Sequence, residues 1–314
     1  MTNGLHRHNL PQMNGKAFLT DGGLETTLVF IDGFDLPLFA SFTLLETPDG
    51  RAAIDRYMRK FCEIAVRDQK GFVLDTPTWR ASRRWASELG ISPAKLRAMH
   101  QDAIETLEDL RAEYQTSRSP FVINGVIGPQ DDGYNPQSFM SADEAESYHS
   151  EQIEWIAEFG ADMASAITIT YVEEAIGITR AAQEAGMPVV VSFTVETDGK
   201  LPSGQTLQSA IDQVDAETGA GPAYYMINCA HPDHFAGSLG GDSAWRERIM
   251  GLRANASRMS HEELDNSEEL DAGDPVELGS QYAELRKLLP NLKVMGGCCG
   301  TDHRHVDAIS AACG

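Results

Sequence analysis

Eight short apolar runs, each followed by a segment of helical period or a turn-rich stretch, constrain the fold of this chain more than any other feature. The runs are Ala17–Asp21, Phe72–Thr76, Phe121–Ile127, Met163–Thr170, Val189–Phe193, Tyr224–Cys229, Ile249–Arg253 and Leu292–Met295, the seventh being the weakest. Runs of this length without polar alternation read as strands buried on both faces, the signature of a parallel sheet covered by helices. The intervening segments carry helix signals. Thr47-Pro48 supplies an N-cap and a proline at the first helical position, and Ile54, Tyr57, Met58, Phe61 and Ile64 mark one buried face. A second helix is expected over roughly 94–115. Ser141 and Glu144 form a capping-box pattern that opens another through Phe159, and a fourth runs to Ala185. Strands alternating with helices over the whole length predict an α/β fold, a (β/α)8 TIM barrel in a single domain spanning 1–314. A doubly wound open sheet is the competitor, because alternation does not report closure. The acidic stretch His261–Glu277 holds eight Asp or Glu and no Lys or Arg, and reads as a solvated excursion within that domain or as a flap over a site.

Composition narrows the function classes. No apolar run approaches membrane-spanning length, and the polar start MTNGLHRHNLPQMNG has no signal-peptide core, so a soluble cytoplasmic protein is expected. A formal charge of −22 repels nucleic acid and anionic membranes.

The five cysteines are Cys62, Cys229, Cys298, Cys299 and Cys313. An odd count with two adjacent residues makes a poor disulfide framework, so reduced thiols acting as metal ligands, nucleophile or core are expected. Met295-Gly-Gly-Cys-Cys-Gly-Thr301 follows the last strand, at the barrel end where active sites assemble, and its glycines allow a tight turn around an ion. Cys229 ends the sixth run and offers a third sulfur, although an isolated cysteine after a strand is also an ordinary small buried residue. Cys62 and Cys313 carry no chemistry on this reading. His231, His234, His303 and His305 lie near the cysteines in sequence and compete as ligands, the last two in what reads as the exposed start of the final helix. Asp21-Gly22-Gly23 offers a carboxylate for a substrate ammonium and free backbone N–H groups, or simply a capped turn.

Taken together, Asp21–Gly23, Asn124–Pro129, Val191–Phe193, Asn228-Cys229 and Gly296–Gly300 resemble the homocysteine S-methyltransferase family, in order and spacing from about residue 17 to 312. The resemblance implies a (β/α)8 barrel with Zn2+ held by Cys229, Cys298 and Cys299. Three thiolates would leave the fourth zinc position for an acceptor thiol, which attacks the methyl group of a sulfonium or quaternary ammonium donor. It also implies that Asp21, Gly22 and Gly23 stand near the amino-acid end of the acceptor. Trp79 could face a methylated cation or merely pack beneath a loop, and Asn228 joins the expected substrate contacts.

Two positions depart from the family pattern. Ile167 stands where a glutamate usually helps bind the acceptor ammonium, a role Glu25 could assume. Arg80 stands where a neutral polar or aromatic residue is usual, and a cation there repels a sulfonium unless it turns away or pairs with a carboxylate. The expected activity is transfer from an S-methylmethionine or S-adenosylmethionine type donor to homocysteine, forming methionine. The alternatives are demethylation of another methylated metabolite, a betaine or a sulfonium, with a different thiol, or a non-catalytic zinc-binding protein. The expected partners are a small-molecule thiol and a methyl donor, with no nucleic acid and no membrane; a homo-oligomer is left open.

Overall fold

The computed structural model describes residues 4–240 and 244–314. Eight parallel strands close into a barrel in sequence order: β1 (Phe18–Leu19), β2 (Gly71–Asp75), β3 (Phe121–Ile127), β4 (Met163–Ile169), β5 (Val189–Thr194), β6 (Tyr224–Asn228), β7 (Ile249–Ala254) and β8 (Val294–Gly297). Closure, which the pattern left undecided, is made by β1 pairing with β8, Phe18 against Val294 and Leu19 against Met295. Every strand residue is buried, as a sheet covered on both faces requires. The first strand is shorter than its apolar run because the chain turns away at Thr20 towards the Asp21-Gly-Gly bend.

The expected helices form where their signals lie. Thr47 accepts from the Gly50 N–H at the start of Pro48–Arg67, whose buried face includes Ile54, Tyr57, Met58, Phe61 and Ile64. Ser141 and Glu144 complete a capping box at the start of Ala142–Glu158. Pro93–Tyr114, Val172–Glu184, Leu207–Thr218, Pro275–Leu288 and His303–Ala312 supply further outer helices. No described helix is long and apolar enough to cross a membrane.

Two layers inside the barrel set the position of the site. Leu10, Phe18, Val73, Val122, Met163, Val190, Tyr224 and Val294 belong to an apolar plug at the N-terminal end. The turn Pro11–Asn14 covers that end, with Gln12 fully buried and its amide donating to Met163 Sδ at 3.1 Å. Above the plug lies a polar layer. Asn124 Nδ2 donates to Asp75 Oδ1 at 2.7 Å, Ser165 Oγ to Asn124 Oδ1 at 2.9 Å, and Ser192 Oγ to Asn228 Oδ1 at 2.6 Å. Buried polar atoms paired in this way avoid the penalty of desolvation without partners. With the lower end filled, the cavity of the barrel develops at the C-terminal ends of the strands.

A three-sulfur candidate metal centre

The Sγ atoms of Cys229, Cys298 and Cys299 lie within 4.8 Å of one another and are the one cluster of potential metal ligands among the described residues. They come from the ends of β6 and β8. Cys229 is 4 % exposed and sits in the left-handed backbone region, at φ 54°. That conformation costs a non-glycine residue about 1–3 kcal/mol, and surrounding contacts must impose it. Here the Cys229 N–H donates to Arg253 O at 3.1 Å, while its carbonyl accepts from Asn255 Nδ2 at 3.0 Å and His261 Nε2 at 2.7 Å. The backbone is therefore clamped so that the side chain turns towards the other two cysteines.

The Cys298-Cys299 turn is tied on three sides. Cys298 N–H donates to Ala254 O at 2.9 Å, Ala256 N–H to Cys299 O at 3.1 Å, and Thr301 Oγ1 to Cys298 O at 2.7 Å. Gly300 takes φ 79°, the conformation the glycine supplies. Gly22 and Gly23 are small because this turn presses on them. A Cβ on Gly23 would come within 2.6 Å of Cys298 O, and one on Gly22 within 2.8 Å of Thr301 O.

In the structure the Cys229 and Cys298 sulfurs are in close contact, and Cys299 is free. The reason is proximity: the convergence that gathers three sulfurs also brings two within range of each other. Disulfide and metal ligation are alternative states of the same atoms. Burial pushes the Cys299 thiol up to about 11, so without a cation the sulfur stays protonated at neutral pH. Three soft donors, no histidine or carboxylate among them, and an adjoining cavity suit zinc with one position left for an outside ligand.

The other histidines are elsewhere. His231 caps a short helix through the Asp233 N–H, and His234 bonds Arg258 O. His305 is fully buried rather than exposed, because its ring accepts from the Asp302 N–H in a capping box. Cys62 and Cys313 are buried away from the cluster.

A cavity of about 350 Å3 opens on the sulfurs, and Asp21, Gly22, Gly23, Glu25, Trp79 and Ile167 all line it. Asn228 does not: it is fully buried behind the wall. Its Oδ1 accepts from Thr168 N–H and Ser192 Oγ, and its Nδ2 donates to Thr168 Oγ1. Those bonds hold Thr168 at φ 66° beside the site, with Thr168 Oγ1 3.6 Å from Cys229 Sγ. Asp21 faces the cavity but its oxygens are engaged, Oδ1 with Arg253 and Oδ2 by Tyr57 Oη at 3.1 Å. Arg253 also pairs with Asp75, making a buried Asp21–Arg253–Asp75 triad. Burial, only partly offset by Arg253, pushes the Asp21 carboxyl up to about 7. Trp79 presents one ring face to the Arg80 guanidinium at 4.5 Å and donates from Nε1 to Ile167 O at 3.1 Å.

Sequence reasoning missed Arg253, Tyr134 and His261. Tyr134 Oη lies 3.2 Å from Cys299 Sγ, and its ring stacks on His261 at 4.0 Å. His261 opens the acidic segment, which is more than a solvated excursion: Leu264, Asp265, Ser267, Glu269 and Leu270 line the cavity mouth.

Comparison with known proteins agrees with this geometry. Residues 18–313 match the profile of a family described as homocysteine S-methyltransferase. Among solved structures, the chain is similar to the homocysteine methyltransferase MmuM from Escherichia coli. The oxidized form matches with TM-score 0.73 and 16 % identity over 95 % of this chain and 97 % of that one. The metallated form gives 0.72 and 16 % over 96 % and 98 %, and the apo form 0.64 and 15 % over 98 % and 99 %. No curated protein matches the chain.

Proposed function

Since the chain belongs to the homocysteine S-methyltransferase family, we propose that it moves a methyl group from a sulfonium donor of the S-methylmethionine or S-adenosylmethionine type to zinc-bound homocysteine, forming methionine. The observation that carries this reading is the trio Cys229, Cys298 and Cys299 at the wall of a closed-bottomed cavity. Zinc held by these three cysteines would supply the Lewis acidity that keeps an acceptor thiol deprotonated near neutral pH.

The chain's own residues do the rest. Asn255 and His261 fix the Cys229 carbonyl, and Ala254 and Thr301 fix the Cys298 backbone, so the sulfurs are set before any ligand arrives. The apolar plug confines both substrates to the mouth, where the acceptor sulfur and the donor methyl meet. One S–CH3 bond forms as the donor C–S bond breaks, and the donor leaves as a neutral sulfide. The thiols must be reduced to bind metal, which fits a cytoplasmic location.

Ile167 and the engaged Asp21 favour a second reading, in which a thiol other than homocysteine accepts the methyl from another methylated metabolite. The two are separated by purifying the protein under reducing conditions, measuring its metal, and assaying methylated thiol with homocysteine and each donor class. About one zinc per chain with methionine formed supports the first reading. Zinc without methionine moves the search to another acceptor. Protein kept reduced and away from chelators that holds no zinc removes the basis of both.

A further inference from the structure

The cavity contains a buried cation with unused hydrogen-bonding capacity. Arg80 is 9 % exposed, and its guanidinium lies 4.5 Å from the Trp79 ring centroid and 3.8 Å from that of Trp85. Nη2 reaches Asp132 at 3.1 Å, but Nε and Nη1 are buried with no hydrogen-bond partner. Desolvated donors on a charged group are costly to leave unpaired, and in a native structure each calls for an explanation. A carboxylate matches such a guanidinium edge in shape and charge.

The cavity also offers one suitable anion. Both carboxylates of the triad are engaged, Asp21 by Arg253 and Tyr57, and Asp75 by Arg253 and Asn124. Asp132 accepts from two backbone N–H groups and from Arg80, while Asp265, Glu269 and Asp271 are exposed at the mouth. Glu25 remains. It is half-buried, lines the cavity and accepts from Ser41 Oγ at 2.7 Å on Oε1, with no cation paired to it among the described residues. Glu25 and Arg80 make no ion pair with each other, yet each feels the other's charge, and Glu25 also acts on Cys299. Glu25 lines the same cavity as Arg80, Cys298 and Cys299.

We propose that Glu25 and Arg80 form a two-ended seat for an α-amino acid zwitterion, with the ammonium on Glu25 and the carboxylate on the unpartnered edge of Arg80. The seat replaces the ammonium site that Ile167 cannot provide and that Asp21 has given over to Arg253. It fits a cation in a cavity that receives an onium donor: Arg80 already shares its charge with Asp132, and a substrate carboxylate completes its pairing. The proposal rests on the methyl-transfer reading only for which substrate brings the zwitterion, since both homocysteine and S-methylmethionine carry one.

The test uses L-norleucine, which has the amino acid end and no sulfur, so its binding is independent of metal and of methyl transfer. Titration calorimetry on the full chain compares it with hexanoate and pentylamine, each lacking one charge. We expect both to bind roughly tenfold or more weakly than norleucine. Arg80→Gln should weaken norleucine by a similar factor while leaving pentylamine unchanged, and Glu25→Gln should weaken it while leaving hexanoate unchanged. Should Arg80→Gln fail to fold, Glu25→Gln and the two analogues still decide the matter. Norleucine competing with homocysteine places the seat at the acceptor, and competing with a sulfonium donor places it at the donor; both outcomes support it. Norleucine bound no better than the analogues, or unaffected by either substitution, overturns it. Charge-dependent norleucine binding in a protein without methyl transfer leaves the seat standing and removes the catalytic reading, and the converse result does the reverse.

Discussion

Replacing His261 by alanine should release Cys229 from the clamp that aims it. Two of the contacts its ring makes bear directly on the cysteines: a hydrogen bond from Nε2 to Cys229 O at 2.7 Å and a stack on Tyr134 at 4.0 Å and 9°. A hydrogen bond of this kind is worth about 1 kcal/mol net. A ring pair adds about 0.5–1.5 kcal/mol. The substitution therefore withdraws roughly 1.5–2.5 kcal/mol from the arrangement that holds Cys229 at positive φ and Tyr134 against Cys299. Asn255 alone then holds the Cys229 carbonyl. Expressed at the metal, the loss is roughly 10- to 100-fold in zinc affinity, the range seen when groups supporting metal ligands are removed. Competition against a chromophoric chelator in reducing buffer measures it directly. His234→Ala is the control, because that ring bonds only Arg258 O, far from the sulfurs in its contacts. If both variants bind zinc within twofold of the parent, the carbonyl clamp does not position Cys229 and the reasoning fails.

Cys298→Ser and Cys299→Ser should each lose most bound zinc and activity while keeping the parental circular dichroism, since neither side chain builds the core; full zinc retention in both sinks the metal assignment. Arg253→Met leaves Asp21 and Asp75 facing each other without a cation, and should destabilise the fold by about 3–5 kcal/mol in denaturant titrations near neutral pH. The pH dependence has a fixed sign. The folded Asp21 carboxyl, raised to about 7, holds its proton more tightly than the unfolded one, so its contribution is fully present below about 4 and is lost as pH rises towards 7. Removing Arg253 should steepen that decline, and an unchanged slope would refute the triad's role. Gly23→Ala drives a methyl group to 2.6 Å from Cys298 O and should cost about 1–3 kcal/mol along with zinc affinity; a variant that loses stability but binds zinc normally would show that the bend and the sulfur turn move independently.

The strands were legible because both faces of each are covered, so the sequence shows continuous apolar runs rather than alternation. Helix starts were legible where a side chain caps them locally, as at Thr47 and Ser141. The cysteine pair announced itself through its flanking glycines, which are needed at close quarters with Thr20, Asp21 and Thr301. What stayed hidden is non-local. Arg253 reads as a flaw in a weak apolar run, because its partners Asp21 and Asp75 are 232 and 178 positions away. His261 looks like one more residue of an acidic surface stretch, since nothing nearby shows that its ring reaches the carbonyl of Cys229. His305 passed for solvent-exposed because a buried histidine in a capping box differs from an exposed one only in what packs over it.

Barrel closure through β1 and β8 has a consequence for how the protein comes into being. The chain is made from its amino end, so Asp21-Gly-Gly emerges first and the Cys-Cys turn comes with the last strand. Until β8 is synthesised, β1 lacks its second neighbour and Cys229 waits without the sulfurs it will face. The nascent polypeptide can therefore assemble most of its helices and strands but cannot bring the three sulfurs together. Any truncation before residue 294 removes the strand that closes the barrel together with Cys298 and Cys299, leaving Cys229 without the two sulfurs it faces.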